Sequence, residues 1–133
     1  WQEAYRPADG VITCTVAQER YIDLRPNPGA LLLNVSLRDY KLAAMDPQDL
    51  IIVDDWDEVC RENTDIELLS KAKGVLKKQT HPITELAHKD WFALKRKEQT
   101  VFFHPMGLAA FDIAVAAYAL KQAESKGIGM HLP

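Results

Sequence analysis

Ala30-Leu-Leu-Leu-Asn-Val-Ser-Leu-Arg-Asp39 and Val101-Phe-Phe-His-Pro-Met-Gly107 are the stretches that decide how this chain folds. Each is a short apolar run that ends abruptly in polar residues able to hold a ligand. That is the pattern of strands in an α/β sheet, where ligands collect at the carboxyl ends. Residues 30–35 and 100–103 are therefore expected as strands, the second stopped by Pro105.

Working outward, residues 11–16 form a β-branched run and residues 49–54 a third continuous apolar strand. Strands that are apolar throughout suit a sheet covered on both faces. Their spacing, with helical pieces between them, implies parallel strands joined by right-handed crossovers. Residues 1–5 read as the end of a helix, and residues 40–45 as a short helical link. Further helices are expected at 56–61, at 66–73 closed by Gly74, and opening at 82–86. Residues 107–126 read as one long helix with Gly127 just past its end. Between Leu108 and Leu120 its only charge is Asp112, so it is expected to be buried on most sides against something beyond this chain. The fold class expected is α/β, the C-terminal half of a Rossmann-like parallel sheet plus a long C-terminal helix. The chain starts at Trp1 and contains neither G-x-G-x-x-G nor a P-loop, which reads as the back half of a longer protein.

With 133 residues, 47% hydrophobic and 26% charged, the chain has the composition of one ordered globular domain. A net charge of −3 gives no electrostatic case for nucleic acid or an anionic membrane. The lysines of residues 71–78 and 89–97 are read as solvated faces. Cys14 and Cys60 have no metal-ligand or C-x-x-C spacing, which points to a reducing cytoplasm and to no metal site.

Several residues stand where chemistry is expected. Thr13 and Thr15 close the first strand, where a hydroxyl can approach a dinucleotide, although threonine also simply favours strands. Asn34, Ser36 and Asp39 follow the second strand. A carboxylate there can face a substrate carbon and shuttle a proton; alternatively Ser36 or Asp39 caps the helical piece at Tyr40. Asp54 and Asp55 point to opposite sides of extended chain and are read as caps of the helix at Trp56. His104 offers a titratable imidazole, yet a lone histidine beside a proline is ordinarily packed or solvated. His81, His88 and His131 are assigned no role from the sequence. Asp112 is expected to hold the loop before the long helix.

Taken in order, Val11-Ile-Thr-Cys-Thr-Val16, Asn34-Val-Ser36 with Asp39, Ile52-Val-Asp-Asp-Trp56 followed by Cys60-Arg-Glu62, Pro105-Met-Gly107 and Gly127-Ile-Gly129 resemble the ornithine cyclodeaminase/μ-crystallin family. The likeness runs over essentially the whole chain. It is nearest to the 2,3-diaminopropionate-forming branch, the N-(2-amino-2-carboxyethyl)-L-glutamate dehydrogenases of siderophore and peptide-antibiotic pathways.

The resemblance implies NAD as cofactor and an amino-acid substrate. Thr13 or Thr15 would match the threonine lining the NAD site, and Asn34, Val35 and Ser36 the stretch under the nicotinamide. Asp39 would match the catalytic carboxylate, which contacts the substrate amino group and relays a proton. His104, Pro105, Met106 and Gly107 would match the loop over nicotinamide and substrate, with Pro105 on the cofactor and Met106 and Gly107 on the substrate. The chain departs in two places. The cyclodeaminases carry Lys-Ser-Val-Gly and the diaminopropionate branch tends to Asn where His104 stands; Ala43 replaces a lysine that cyclodeaminases have, with Lys41 nearby. By the same resemblance, residues 1–104 would complete an NAD-binding domain and residues 105–133 would return to an N-terminal substrate and dimerisation domain in a homodimer. The chain by itself is then expected to be inactive. Deamination of ornithine to a cyclic product, or a non-catalytic μ-crystallin-like role, are the alternatives.

Overall fold

The computed structural model describes residues 1–88 and 95–130; His131 and residues 89–94 of the second lysine run lie outside the described residues. A five-stranded parallel sheet forms the centre: β1 Gly10–Thr13, β2 Leu31–Asn34, β3 Leu50–Val53, β4 His81–Pro82 and β5 Val101–His104, in the order β1-β2-β5-β3-β4. Among the described residues the α-helices are α1 Gln2–Tyr5, α2 Trp56–Val59, α3 Asp65–Lys73 and α4 Ala109–Lys126. The α/β class expected from the apolar runs is the one observed. β4 was not expected: two residues carry no readable pattern, and their proline is tolerated because they pair only with Ile52 and Val53 at the sheet edge. The chain builds β3 and β4 beyond a gap beside β2, and β5 then fills that gap.

The strand register explains where the core sits, because residues paired across strands share a face. Val11, Leu32, Phe102 and Ile51 form one row, and Thr13, Asn34, His104 and Val53 the next row on the same face. This face is covered: Leu32, Ile51, Val53 and Phe102 belong to one core cluster with Tyr40, Met45, Val59, Ile66 and Leu69. The Tyr40 ring meets Phe102 edge-on, with centroids 4.7 Å apart. On the opposite face, Ile12 is 65% exposed and Leu31 is exposed. The expectation of a sheet covered on both faces therefore holds at β3, whose four residues are all buried, and fails at β1 and β2.

Local chemistry sets the helix ends. Asp55 caps α2 by accepting the backbone N–H groups of Asp57 and Glu58, and Thr64 caps α3 by accepting that of Glu67. Gly74 ends α3 at φ 70°, a left-handed geometry that glycine adopts without a Cβ clash. The helical link at residues 40–45 is a 3₁₀ turn, Leu42–Ala44, and that at 82–86 another, Ile83–Ala87. Lys71 and Lys77 pair with Glu67 and Asp57, consistent with a solvated face.

Helix α4 runs to Gly127 as expected, but it buries none of its residues. Ile113, Val115, Tyr118 and Leu120 are all more than half exposed. Among the described residues no helix is long and apolar enough to cross a membrane. Together with the open sheet face, α4 leaves an apolar surface that water disfavours. The isolated 133-residue chain is accordingly expected to self-associate and to bind a hydrophobic dye. A monomeric, dye-silent chain in analytical ultracentrifugation would count against this reading.

Candidate active site at the carboxyl edge of the sheet

Parallel strands end together, so the last residue of each comes to one edge. The last residues of β1, β2 and β5 are Thr13, Asn34 and His104, all buried. The Thr13 hydroxyl donates to Asn34 Oδ1 at 2.8 Å, and the backbone N–H of Leu37 donates to the same oxygen at 3.0 Å. Two donors on Oδ1 fix the orientation of the amide. Asn34 Nδ2 then donates to Asp65 Oδ2 at 2.7 Å and to His104 Nδ1 at 3.1 Å. Since Nδ1 accepts, the proton of neutral His104 resides on Nε2, and that N–H is buried without a partner among the described residues. Burial pushes the His104 pKa down to about 3. Phe102 lies against its ring edge-on at 4.0 Å.

Asp65, the first residue of α3, gathers this edge. Oδ2 accepts from Asn34 and from the backbone N–H groups of Asp39 and Tyr40, both at 3.0 Å, while Oδ1 accepts from Arg20 Nε at 2.6 Å. Asp65 is fully buried, and its own backbone N–H donates to the carbonyl of Leu37 at 2.8 Å. Burial raises its pKa, and the hydrogen bonds from Tyr40, Arg20 and Asn34 oppose that rise. The loop it holds is strained: Leu37, a buried leucine, has φ 65°. That left-handed geometry costs about 1–2 kcal/mol for a residue with a Cβ.

Asp39 is 1% exposed. Its carboxylate accepts from the Thr15 hydroxyl at 2.5 Å on one oxygen and from the Ser36 hydroxyl on the other. It caps nothing, because the 3₁₀ turn Leu42–Ala44 begins after Lys41 with no side-chain cap. Of its two hydroxyl partners, Thr15 is exposed and Ser36 half-buried. Of the residues read as cofactor contacts, Thr13 and Asn34 turn their polar groups inward, Thr13 onto Asn34 and the Asn34 amide nitrogen onto Asp65 and His104. Val35, 49% exposed, and Thr15 face outward.

The loop after β5 is tied to the end of β3. Asp54 Oδ2 accepts the backbone N–H of Gly107 at 2.7 Å, and its other oxygen that of Asp55 at 2.8 Å. Of the two carboxylates read as caps, Asp55 alone caps α2, while Asp54 has the loop-holding task expected of Asp112. Asp112 is exposed, in the first turn of α4. Pro105 and Met106 are half-buried, Met106 against the core, and Gly107 is exposed. Arg20 and Asp65 went unread in the sequence. Thr64-Asp65-Ile-Glu67 announces a helix start, but no local pattern announces a carboxylate that bonds residues 25 to 45 positions away.

No protein-family model matches the chain. The chain is similar to the N-((2S)-2-amino-2-carboxyethyl)-L-glutamate dehydrogenase of Staphylococcus aureus (strain NCTC 8325 / PS 47). The two are 30% identical over 133 residues, covering 98% of this chain and 40% of the relative. This bears out the resemblance to that dehydrogenase branch read from residues 11–16, 52–56, 60–62, 105–107 and 127–129. The chain spans about two fifths of the length of the relative it matches.

Proposed function

We propose that this chain is part of an NAD-dependent dehydrogenase that cleaves N-(2-amino-2-carboxyethyl)-L-glutamate oxidatively to 2,3-diaminopropionate and 2-oxoglutarate, in siderophore or peptide-antibiotic biosynthesis. The observation that carries this reading is the similarity, over nearly the whole chain, to a curated dehydrogenase named for that substrate. The sheet supports it: polar side chains converge at its carboxyl edge, where α/β sheets bind ligands.

The residues at this edge fit a dinucleotide in a specific way. Val35 offers an exposed apolar side chain at the end of β2, and Thr15 an exposed hydroxyl. Asn34 and Thr13 shape the turn from below, with Ser36 beside Asp39 and Pro105 in the facing loop. When bound, NAD would accept the hydride from the glutamate α-carbon. The nitrogen loses a proton in the same oxidation, leaving a C=N bond; water adds to that carbon, and the C–N bond then breaks. Oxygen stays with 2-oxoglutarate and nitrogen with 2,3-diaminopropionate. Asp39 takes the proton from the nitrogen or from the attacking water, and Met106 and Gly107 line the substrate side.

In this reading residues 105–133 pack on a substrate and dimerisation domain of a cytoplasmic homodimer, which gives the apolar surface of α4 a partner. The test is direct. The purified full-length protein, given N-(2-amino-2-carboxyethyl)-L-glutamate and NAD, is expected to form NADH and 2-oxoglutarate in equal amounts. Turnover with ornithine alone would move the assignment to the cyclodeaminases, and NADH formation from neither substrate would remove the enzymatic reading.

A further inference from the structure

We propose that Arg20 and Asp65 are positioning residues for Asp39, a clamp that holds the loop after β2 in the conformation setting the Asp39 carboxylate against Thr15 and Ser36. The inference rests on the reading of Asp39 as the carboxylate that moves the proton. Asp65 grips the loop by its backbone, through the N–H groups of Asp39 and Tyr40, and Asn34 completes the grip on the same oxygen. The loop needs holding because Leu37 lies in the left-handed region, pinned through its N–H by Asn34 and through its carbonyl by Asp65.

Arg20 gives the clamp its direction. It lies in the segment after β1, five positions beyond Thr15, the residue whose hydroxyl meets the Asp39 side chain. Its Nε donates to Asp65 Oδ1 and one terminal nitrogen donates to the carbonyl of Asn63. The backbone of Asp39 is thus tied, through Asp65 and Arg20, to the same segment that contacts its side chain. Helix capping does not account for Asp65, since Thr64 already caps α3. Neither does stability alone: a buried ion pair is commonly no better than well-packed apolar side chains of similar volume. What an ion pair supplies, and an apolar pair does not, is a fixed direction for each hydrogen bond. With the backbone N–H of Tyr40, the Arg20 hydrogen bond also opposes the rise that burial causes in the Asp65 pKa.

The experiment uses the full-length protein and the variants Arg20→Met, Arg20→Lys and Asp39→Asn. With Arg20→Met, kcat is expected to fall about 10- to 100-fold while KM for NAD stays within about twofold, the signature of misplacing a reacting group rather than losing a binding site. Arg20→Lys keeps the charge without the planar fork and is expected to fall between wild type and Arg20→Met. In the Asp39→Asn background, Arg20→Met should lower kcat by less than about twofold more, because the group it positions is gone. Amide hydrogen exchange supplies a readout that needs no turnover. The amides of Asp39 and Tyr40 should lose protection in Arg20→Met, or in Arg20→Lys should Arg20→Met not fold, while those of β3 keep theirs. Wild-type kcat in Arg20→Met, multiplying losses in the double variant, or unchanged protection at Asp39 and Tyr40 would each overturn the proposal. Near-wild-type turnover in Asp39→Asn alone would instead remove the reading of Asp39 on which it rests.

Discussion

Acidification from pH 6.5 to about 4.5 is expected to remove about 2–3 kcal/mol of folding stability through His104 alone. The imidazole is fully buried, and burial holds its pKa at about 3 against the ordinary 6.5. A second effect acts the same way: Asn34 Nδ2 donates to Nδ1, a bond that a protonated ring cannot accept. Above pH 6.5 His104 is neutral in the folded and unfolded states, and it contributes no pH dependence. Between 6.5 and about 3 the unfolded chain binds a proton that the fold refuses. Stability therefore falls as pH falls, by about 1.4 kcal/mol per unit, and levels off only below the folded pKa.

His104→Asn removes the titrating group while leaving an amide of similar reach beside Asn34. Its stability is expected to lack this component, so wild type loses more than the variant as the pH is lowered from 6.5 to about 4.5. Urea unfolding of both proteins across that window measures the difference. Imidazole resonances of His104 in NMR supply the companion check: they should not move above pH 4, and titration near 6.5 would show that the ring is solvated.

How much of this was legible depends on whether the signal is local. The strands around Leu32, Ile51 and Phe102 announce themselves by unbroken apolar runs, and Gly74 and Gly127 announce helix ends by conformations other residues resist. Asp55 capping α2 follows from the residue type and its place before Trp56. The site is different, because its bonds join residues distant in sequence through register. That Thr13, Asn34 and His104 share one row depends on β5 lying between β2 and β3, an order no residue pattern encodes. Asp54 and Asp112 show the same limit. Asp54 follows β3 and Asp112 lies in the first turn of α4, yet Asp54 reaches Gly107 because β3 and β5 are neighbours, and Asp112 makes no hydrogen bond or ion pair among the described residues.

Asp39→Asn in the full-length protein is expected to lower kcat by about 10² or more while NAD affinity barely moves. Asn matches Asp in shape, and both partners of the carboxylate are hydroxyls that can turn from donor to acceptor. The Asp39 backbone N–H, which Asp65 holds, is untouched. The fold is therefore expected to survive the substitution, which separates two roles that burial alone leaves joined. A carboxylate that only anchors Thr15 and Ser36 can be replaced by an amide at small cost, since each hydroxyl keeps a partner. One that takes a proton from the substrate nitrogen or from water has no substitute in an amide, which is no base at neutral pH. Capping has dropped out as a third role, because the turn Leu42–Ala44 starts after Lys41 with no side-chain cap. Steady-state kinetics with NAD affinity measured in parallel decide between the remaining two, and near-wild-type turnover with unchanged thermal stability would leave Asp39 as an anchor only.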